Sequence, residues 1–350
     1  MPEGGVVDVD VHVTLPSVDT ILDYLDPAWR EYVEETGFQA PPSPVTLYPP
    51  NAPTTIDPRF RSADGQLPGT TPASIAEHVL EPSGADVAIL TCYWGIESIR
   101  HPDFAAALAR AVNDWLIAEW LDVDPRFRMT MVVPAQVAVE AAAEIDRVGG
   151  DPRVVQVLLP VRSAKLYGNR QWHPMFEAME RNGLVAGLHY GGNPDGPPTP
   201  TGWPAYFIED HAGITPIFVA QLASIIGEGL FEKFPGLRMS LLESGFAWLG
   251  PALWRLDKEW KGLRREVPWV QQLPSDTIRE RIRFSTQPID AGPPEEFRKA
   301  LEWIGAEDLL LYASDFPHGH EGGIDELLAH FAPADHAKIM SGNARAHYAL

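Results

Sequence analysis

Two short motifs near opposite ends of the chain combine carboxylate and imidazole groups. The first is Asp10-Val11-His12, and the second runs from Ser314 through Asp315 to His318. Carboxylates and imidazoles are the ligands that hard to borderline divalent metal ions accept. The motifs lie about 300 residues apart. They can build one metal site only if the fold makes the first and last parts of the chain neighbours.

Apolar, β-branched runs recur along the chain and are separated by segments with helical periodicity. Short runs that are apolar throughout are typical of parallel strands covered on both faces. The predicted strands are Val6–Val13, Val87–Cys92, Met129–Val133, Val154–Leu159, Leu184–His189, Met239–Leu242, Arg283–Ser285 and Leu309–Ser314. The predicted helices are Phe104–Leu121, Ala138–Val148, Gln171–Arg181, Pro216–Phe231, Ala247–Arg265, Pro294–Trp303, Ile324–Phe331 and Ala334–Tyr348.

Eight strands alternating with helices predict an α/β fold, a (β/α)8 TIM barrel formed by residues 1–350 as one domain. A doubly wound open sheet is the alternative, but no Gly-x-Gly-x-x-Gly follows the first strand. Residues 38–72 and 190–204 are rich in Pro and Gly and are predicted as loop insertions. Both follow strands, so we expect both at the C-terminal face, where barrels place their chemistry.

Polar residues stand where the predicted strands end. Asp10 and His12 are two positions apart, so a strand directs both side chains to the same face. The candidate metal ligands are Asp10, His12, His189, Glu243 and Asp315. The candidate catalytic groups are Asp315, Glu243, His211 and His318, whereas His320 is assigned to the following loop. Trp94 and Trp203 suggest an apolar or aromatic small-molecule substrate.

Composition excludes several functions. The net charge of −21 would repel a phosphate backbone, so we expect no nucleic-acid partner. The single cysteine, Cys92, rules out an intrachain disulfide and a cysteine zinc site, and it fits a reducing cytoplasm. No apolar run reaches the roughly 20 residues of a membrane helix, and the acidic start does not resemble a signal peptide.

The chain resembles the amidohydrolase superfamily, in the branch that includes aminocarboxymuconate-semialdehyde decarboxylase. The resemblance covers nearly the whole chain and depends on the motifs at 7–12, 187–189, 229–238, 241–249, 254–257, 314–318 and 338–345. It implies a metal-bearing barrel with Asp10, His12, His189 and Asp315 as ligands. In this family the first strand usually carries His-x-His, so Asp10 is a variant. Relatives often form homodimers, which is the one protein partner that we expect.

Two activities follow from this resemblance. Decarboxylating relatives typically have a histidine after the sixth strand, but this chain has Glu243. The leading expectation is therefore a metal-dependent hydrolase that activates water to cleave an amide, ester or acyl-thioester bond. The alternative is a non-oxidative carboxy-lyase on an unsaturated or aromatic acid, with His211 or His318 delivering the proton. Zinc is the preferred metal, iron or manganese are possible, and one or two ions could bind.

Overall fold

Eight parallel strands form the centre of the molecule. The structure is a computed structural model that describes residues 5–42, 55–61, 65, 67–192, 196–199 and 201–350. The strands are β1 (Val7–His12), β2 (Val87–Thr91), β3 (Phe127–Met131), β4 (Val154–Pro160), β5 (Val185–His189), β6 (Arg238–Leu242), β7 (Ile282–Ser285) and β8 (Leu310–Leu311). Each predicted strand is present, although β8 is much shorter than predicted.

The strands pair in chain order from β1 to β8, and backbone contacts then join the last segment to the first. Val9 donates its backbone N–H to the Tyr312 carbonyl at 3.0 Å, and His12 donates to the Phe316 carbonyl at 2.8 Å. Between them, the backbone N–H of Asp315 donates to the Asp10 carbonyl at 3.1 Å. The predicted (β/α)8 barrel is confirmed, and its closure places the two sequence motifs side by side.

Helices surround the strands. The α-helices are Pro27–Thr36, Pro72–Ile75, Glu81–Ser83, Pro102–Leu116, Ala138–Val148, His173–Asn182, Phe207–Ala212, Ile214–Glu228, Leu230–Lys233, Leu249–Leu263, Pro274–Arg281, Pro294–Ile304, Ala306–Leu309, Ile324–Leu328, Pro333–Ala337 and Asn343–Tyr348. Single π-helical turns occupy Ala76–Leu80, Ile117–Leu121 and Lys338–Gly342. The 3₁₀ helices are Val18–Tyr24, Pro58–Phe60, Ile96–Ser98 and Arg170–Trp172.

The helix Pro27–Thr36 was not predicted. Val33 is its only buried residue, so the sequence shows no apolar residues recurring at helical spacing. Ala138–Val148 agrees with its prediction at both ends. The last predicted helix divides into three pieces around the π-helical turn at Lys338–Gly342. None of the helices in the described ranges has the length and hydropathy needed to cross a membrane.

The inside of the barrel contains an apolar cluster and a chain of hydrogen-bonded polar groups. The apolar cluster includes Val7 and Val9 of β1, Ile89 of β2 and Leu311 of β8. The interior polar chain consists of Thr91, Thr130, Gln156, Tyr348, Ser240 and His347. Its central member, Tyr348, belongs to the C-terminal helix Asn343–Tyr348, so this helix is fixed to the strands from within.

Parts of both predicted loop insertions, namely 43–54, 62–64, 66, 193–195 and 200, lie outside the described residues. The described part of the first insertion contacts the C-terminal motif. The backbone N–H of Asp57 donates to the Pro317 carbonyl at 2.9 Å, and Ile56 forms an antiparallel bridge with His318. This insertion therefore reaches the C-terminal face of the barrel, as predicted.

Candidate active site

Five side chains from strand ends converge at the C-terminal face. The ligand cluster consists of Asp10, His12, His189, Glu243 and Asp315. Nε2 of His12 lies 3.0 Å from Asp315 Oδ1 and 3.1 Å from Glu243 Oε1. Nε2 of His189 lies 3.4 Å from Asp10 Oδ2 and 3.8 Å from Glu243 Oε1. The structure thus brings together all five predicted ligands, from β1, β5, β6 and β8.

Among the residues that the structure describes, three atoms of the ligand cluster are buried without a hydrogen-bond partner. They are both carboxylate oxygens of Asp10 and Nε2 of His189. Nδ1 of His189 donates to the Tyr190 carbonyl at 2.8 Å, because a carbonyl oxygen can only accept. This bond fixes the ring and aims Nε2 at the carboxylates, as in imidazoles that bind metals. Orphaned oxygen and nitrogen atoms in such an arrangement fit a divalent cation.

The backbone is strained where it presents two of these carboxylates. Glu243 and Asp315 have φ values of 52° and 54°, in the left-handed region that non-glycine residues rarely occupy. Glu243 directly follows β6, and its N–H donates to the Ser285 hydroxyl at 3.0 Å. The backbone bond from Asp315 to Asp10 holds the second position. Strain of this kind persists where surrounding contacts enforce it, most often at functional sites.

Electrostatics also indicate that the cluster attracts positive charge. Burial by itself would lower the pKa of His189, but the carboxylates of Glu243 and Asp10 outweigh it and raise the pKa to about 9. The pKa of His12 is likewise raised well above its usual value, since Asp10, Asp315 and Glu243 overcome its burial. Burial opposes ionisation of Asp315, yet hydrogen bonds from His12 and His320 hold its pKa well below the usual range.

Four members of the ligand cluster, His12, His189, Glu243 and Asp315, line a cavity of about 940 Å³. This volume falls within the range of small-molecule sites. The cavity wall is partly apolar, with the side chains of Tyr93, Phe207, Ile208 and Ile214. Polar wall residues include Thr55, Arg162, Tyr190, Asp210, His211, His318 and His320.

Three histidines of the wall occupy distinct positions. His320 lies in the predicted loop, but its Nε2–H donates to Asp315 Oδ2 at 2.6 Å. His318 has Nδ1 2.8 Å from the Thr55 hydroxyl, and it belongs to a second quartet of possible ligand atoms with His12, Glu243 and Asp315. His211 packs against Phe207 with ring centroids 4.3 Å apart.

The tryptophans predicted to contact substrate lie elsewhere. Trp94 is half-buried against Phe38, and 60% of Trp203 is exposed. Among the described residues, the cavity wall takes its aromatic rings from Tyr93, Tyr190 and Phe207 instead. As substrate contacts, the two tryptophans stay predictions.

Sequence reasoning missed one functional group of the wall, the pair formed by Arg162 and Asp210. Arg162 stands two residues after the end of β4, at the face where barrel residues meet a substrate. That position after a strand end could have identified Arg162 as a candidate site residue. Asp210 lies in the short helix Phe207–Ala212, which the sequence did not predict.

Known proteins resemble this chain in sequence and in fold. Gamma-resorcylate decarboxylase of Polaromonas sp. JS666 is 26% identical over 275 residues, covering 71% of this chain and 78% of the relative. The crystal structure of dihydroxybenzoic acid decarboxylase from Polaromonas sp. JS666, with bound manganese and 2-nitroresorcinol, matches with a TM-score of 0.67 and 20% identity. The match covers 99% of this chain and 97% of that one.

A second crystal structure shares the fold. It is 5-carboxyvanillate decarboxylase of Novosphingobium aromaticivorans complexed with manganese and 4-hydroxy-3-methoxy-5-nitrobenzoic acid. It matches with a TM-score of 0.70 and 18% identity, covering 99% of this chain and 97% of that one. At this identity the likeness supports the barrel fold alone.

The leading expectation of hydrolysis is wrong, because the curated relative that matches 71% of this chain at 26% identity is named as a decarboxylase. The expectation depended on the absence of a histidine at position 243, where decarboxylating relatives typically have one. In the structure Glu243 Oε1 lies between two imidazoles, 3.1 Å from His12 and 3.8 Å from His189, as a member of the ligand cluster. The wall histidines provide proton donors, so the lack of a histidine at 243 does not exclude decarboxylation.

The family is established by a match along the chain. The sequence model described as amidohydrolase matches residues 7–350. This range contains all eight strands and every member of the ligand cluster. The chain belongs to the amidohydrolase family and is an enzyme of that superfamily.

Proposed function

We propose that this enzyme is a metal-dependent, non-oxidative carboxy-lyase that removes CO₂ from an aromatic acid. The observation that carries the proposal is the 2.6 Å hydrogen bond between His320 and Asp315, beside the ligand cluster. It places a carboxyl–imidazole pair, which can move a proton, on the cavity floor. The curated decarboxylase at 26% identity supports the same reaction.

Asp10, His12, His189, Asp315 and Glu243 would hold the metal. Three carboxylates with two imidazoles form an oxygen-rich donor set without a thiolate, which suits Mn²⁺ as well as Zn²⁺. We favour Mn²⁺, since both of the solved decarboxylases described above contain manganese. The earlier preference for zinc stays a prediction. When bound, the divalent ion would supply Lewis-acid polarisation and orient the substrate carboxylate.

The chain's own residues would carry the proton. The hydrogen bond to Asp315 raises the pKa of His320 against the effect of burial, so the ring retains its proton more readily. Because Asp315 is ionised, the His320 imidazolium would transfer its proton to Asp315 Oδ2, and Asp315 would pass that proton to the ring carbon that bears the carboxylate. The bond to the carboxylate then breaks, its electron pair restores the aromatic ring, and CO₂ leaves. Solvent returns the proton to His320.

The wall would exclude water and orient the ring. Phe207 and Ile208 are apolar, and the ring of His211 lies against Tyr190 and Phe207. Burial lowers the pKa of His211, so the ring is neutral near pH 7. We therefore place His211 in substrate orientation and assign the proton transfer to Asp315 and His320.

The proposal is tested by supplying Mn²⁺-loaded enzyme with 2,6-dihydroxybenzoate and other hydroxybenzoates. We expect equal amounts of CO₂ and the decarboxylated phenol, with both lost on chelation and restored by Mn²⁺. Asp146→Asn is a matched control, because Asp146 is an arginine-paired carboxylate between two outer helices. Failure of the metal-loaded enzyme to release CO₂ from any hydroxybenzoate, or a rate that chelation leaves unchanged, would contradict the proposal.

A further inference from the structure

A buried ion pair lies in the cavity wall. Arg162 donates from Nη2 to Asp210 Oδ1 at 2.8 Å and from Nε to the Pro198 carbonyl at 3.2 Å. The Tyr190 hydroxyl donates to the other oxygen, Asp210 Oδ2, at 3.0 Å. Arg162 and Asp210 are 5% and 3% exposed, so solvent screens the pair weakly. All three side chains line the cavity that contains the ligand cluster.

After these hydrogen bonds are made, Arg162 still has a donor and Tyr190 still has an acceptor that a ligand could use. Within the described residues, Nη1 of Arg162 has no protein acceptor. The oxygen of Tyr190 donates its proton to Asp210 and keeps a lone pair that can accept. A hydroxyl group can use both sites, since it donates one hydrogen bond and accepts others.

Charge decides which polar group fits there. The positive charge of Arg162 is matched by Asp210, and the neighbouring His211 is neutral near pH 7 because burial lowers its pKa. A second substrate carboxylate would therefore add an uncompensated negative charge beside the Asp210 carboxylate. Like charges placed together in a buried site disfavour a ligand strongly, which is a common basis of specificity.

We propose that Arg162, Asp210 and Tyr190 form a distal subsite that accepts the hydroxyl of a phenolic monocarboxylate and rejects a second carboxylate. This inference rests on the proposed function, because it places the reacting carboxylate at the ligand cluster. Asp210 is the residue that sets specificity, since it cancels the charge that would otherwise attract an anion.

Binding affinities, rather than rates of CO₂ release, test the subsite. The wild-type, Mn²⁺-loaded enzyme is titrated calorimetrically with 3-hydroxybenzoate and with benzene-1,3-dicarboxylate, which differ only in the distal group. We expect the hydroxyl compound to bind at least ~10-fold more tightly, as like-charge repulsion predicts. Equal affinities, or tighter binding of the dicarboxylate, would overturn the distal subsite.

Substitution of Asp210 then assigns the effect. Asp210→Asn keeps the size and one acceptor oxygen, and we expect it to raise affinity for 4-hydroxy-3-methoxy-5-nitrobenzoic acid at least ~10-fold relative to 2-nitroresorcinol. The double variant D210N/R162M should lose this gain in affinity, because the gain comes from the Arg162 guanidinium that Asp210 no longer neutralises. Asp146→Asn, which removes the carboxylate partner of Arg181 on the outer helices, should change neither affinity.

The outcomes separate the two proposals. If neither nitro compound nor either benzoate binds the metal-loaded wild-type enzyme, the proposed function fails and the subsite fails with it. If all bind but Asp210→Asn leaves their ratio unchanged, only the subsite is overturned. If circular dichroism shows that Asp210→Asn is unfolded, the ratio of the two benzoates on the wild-type enzyme decides the question.

Discussion

Two groups of polar side chains lie within the same barrel. They differ in charge and in how completely their polar atoms are hydrogen-bonded. The interior polar chain is hydrogen-bonded throughout: Tyr348 donates to Gln156 Oε1 at 2.8 Å and lies 2.8 Å from the Ser240 hydroxyl. The ligand cluster contains three carboxylates, and its Asp10 and His189 have buried atoms without hydrogen-bond partners in the described part of the chain.

This difference in hydrogen bonding indicates that the interior polar chain serves stability and that the ligand cluster serves function. A buried polar group that is fully hydrogen-bonded stabilises one arrangement of the fold. Charged groups with orphaned atoms, held by backbone at positive φ at Glu243 and Asp315, cost stability unless a ligand compensates them. Substitutions should therefore impair activity at the ligand cluster and stability at the interior polar chain.

The largest effect is expected for Asp315→Asn. The amide cannot deliver the proton or match the charge of His12 and His320, so kcat for CO₂ release should fall by about 10³-fold or more. Rates of CO₂ release by the metal-loaded variant and wild type provide the measurement, with circular dichroism to confirm folding. A loss below about tenfold would place the proton donor elsewhere.

Metal removal should produce the next effect, this time on stability. A cation that binds only the folded ligand cluster stabilises it by about 4 kcal/mol when its concentration is 1,000 times Kd. Chelation should lower the free energy of unfolding accordingly in urea titrations. Tyr348→Phe, in the interior polar chain, should show the same difference between metal-loaded and metal-free protein.

The pH dependence of stability should differ between metal-free and metal-loaded protein. In the metal-free state the pKa of His189 is about 9, above its ordinary value of 6.5. The folded state then holds a proton that the unfolded state releases, so the free energy of unfolding should fall as pH rises from about 6.5 to about 9. Bound metal displaces this proton, and the decline should disappear. Urea titrations across this range provide the measurement; the same decline in both forms would contradict the assignment of His189 as a ligand.

Tyr348→Phe tests the interior polar chain directly. Removing the hydroxyl leaves Gln156 Oε1 without its donor and reduces the partners of the Ser240 hydroxyl to His347, which should cost about 1–3 kcal/mol of unfolding free energy. kcat should stay within about twofold of wild type, since conservative changes remote from the reacting groups spare catalysis. A large loss of kcat with unchanged metal affinity would show that the two groups are coupled.

The smallest effect is expected for Trp203→Ala. This side chain is 60% exposed and does not line the cavity. Because the side chain lies outside the cavity lining, its removal should take no contact from bound substrate, and KM should change less than about threefold. Initial-rate measurements on a hydroxybenzoate test this, and a KM increase above tenfold would restore Trp203 as a substrate contact.

The sequence was sufficient to predict the barrel and the ligand cluster, for a physical reason. Parallel strands are apolar on both faces, so their ends are marked where the first polar groups appear, as at His189 and Glu243. The features of the site that could not be predicted from the sequence depend on contacts that form only in the folded structure. Arg162 and Asp210 meet only after folding, and nothing in the spacing of His320 indicates its bond to Asp315. The lack of a histidine at 243 was wrongly taken to favour hydrolysis, because the sequence does not show that His211, His318 and His320 line the same cavity.

The closure of the barrel has a consequence for synthesis of the protein. Asp10 and His12 emerge from the ribosome about 300 residues before Asp315. At about 5–20 residues per second, this interval lasts tens of seconds. The nascent chain can offer only part of the donor set during that time, so tight capture of the cation has to wait until the last strand docks. Metal retention would then report that the barrel of an individual molecule has closed.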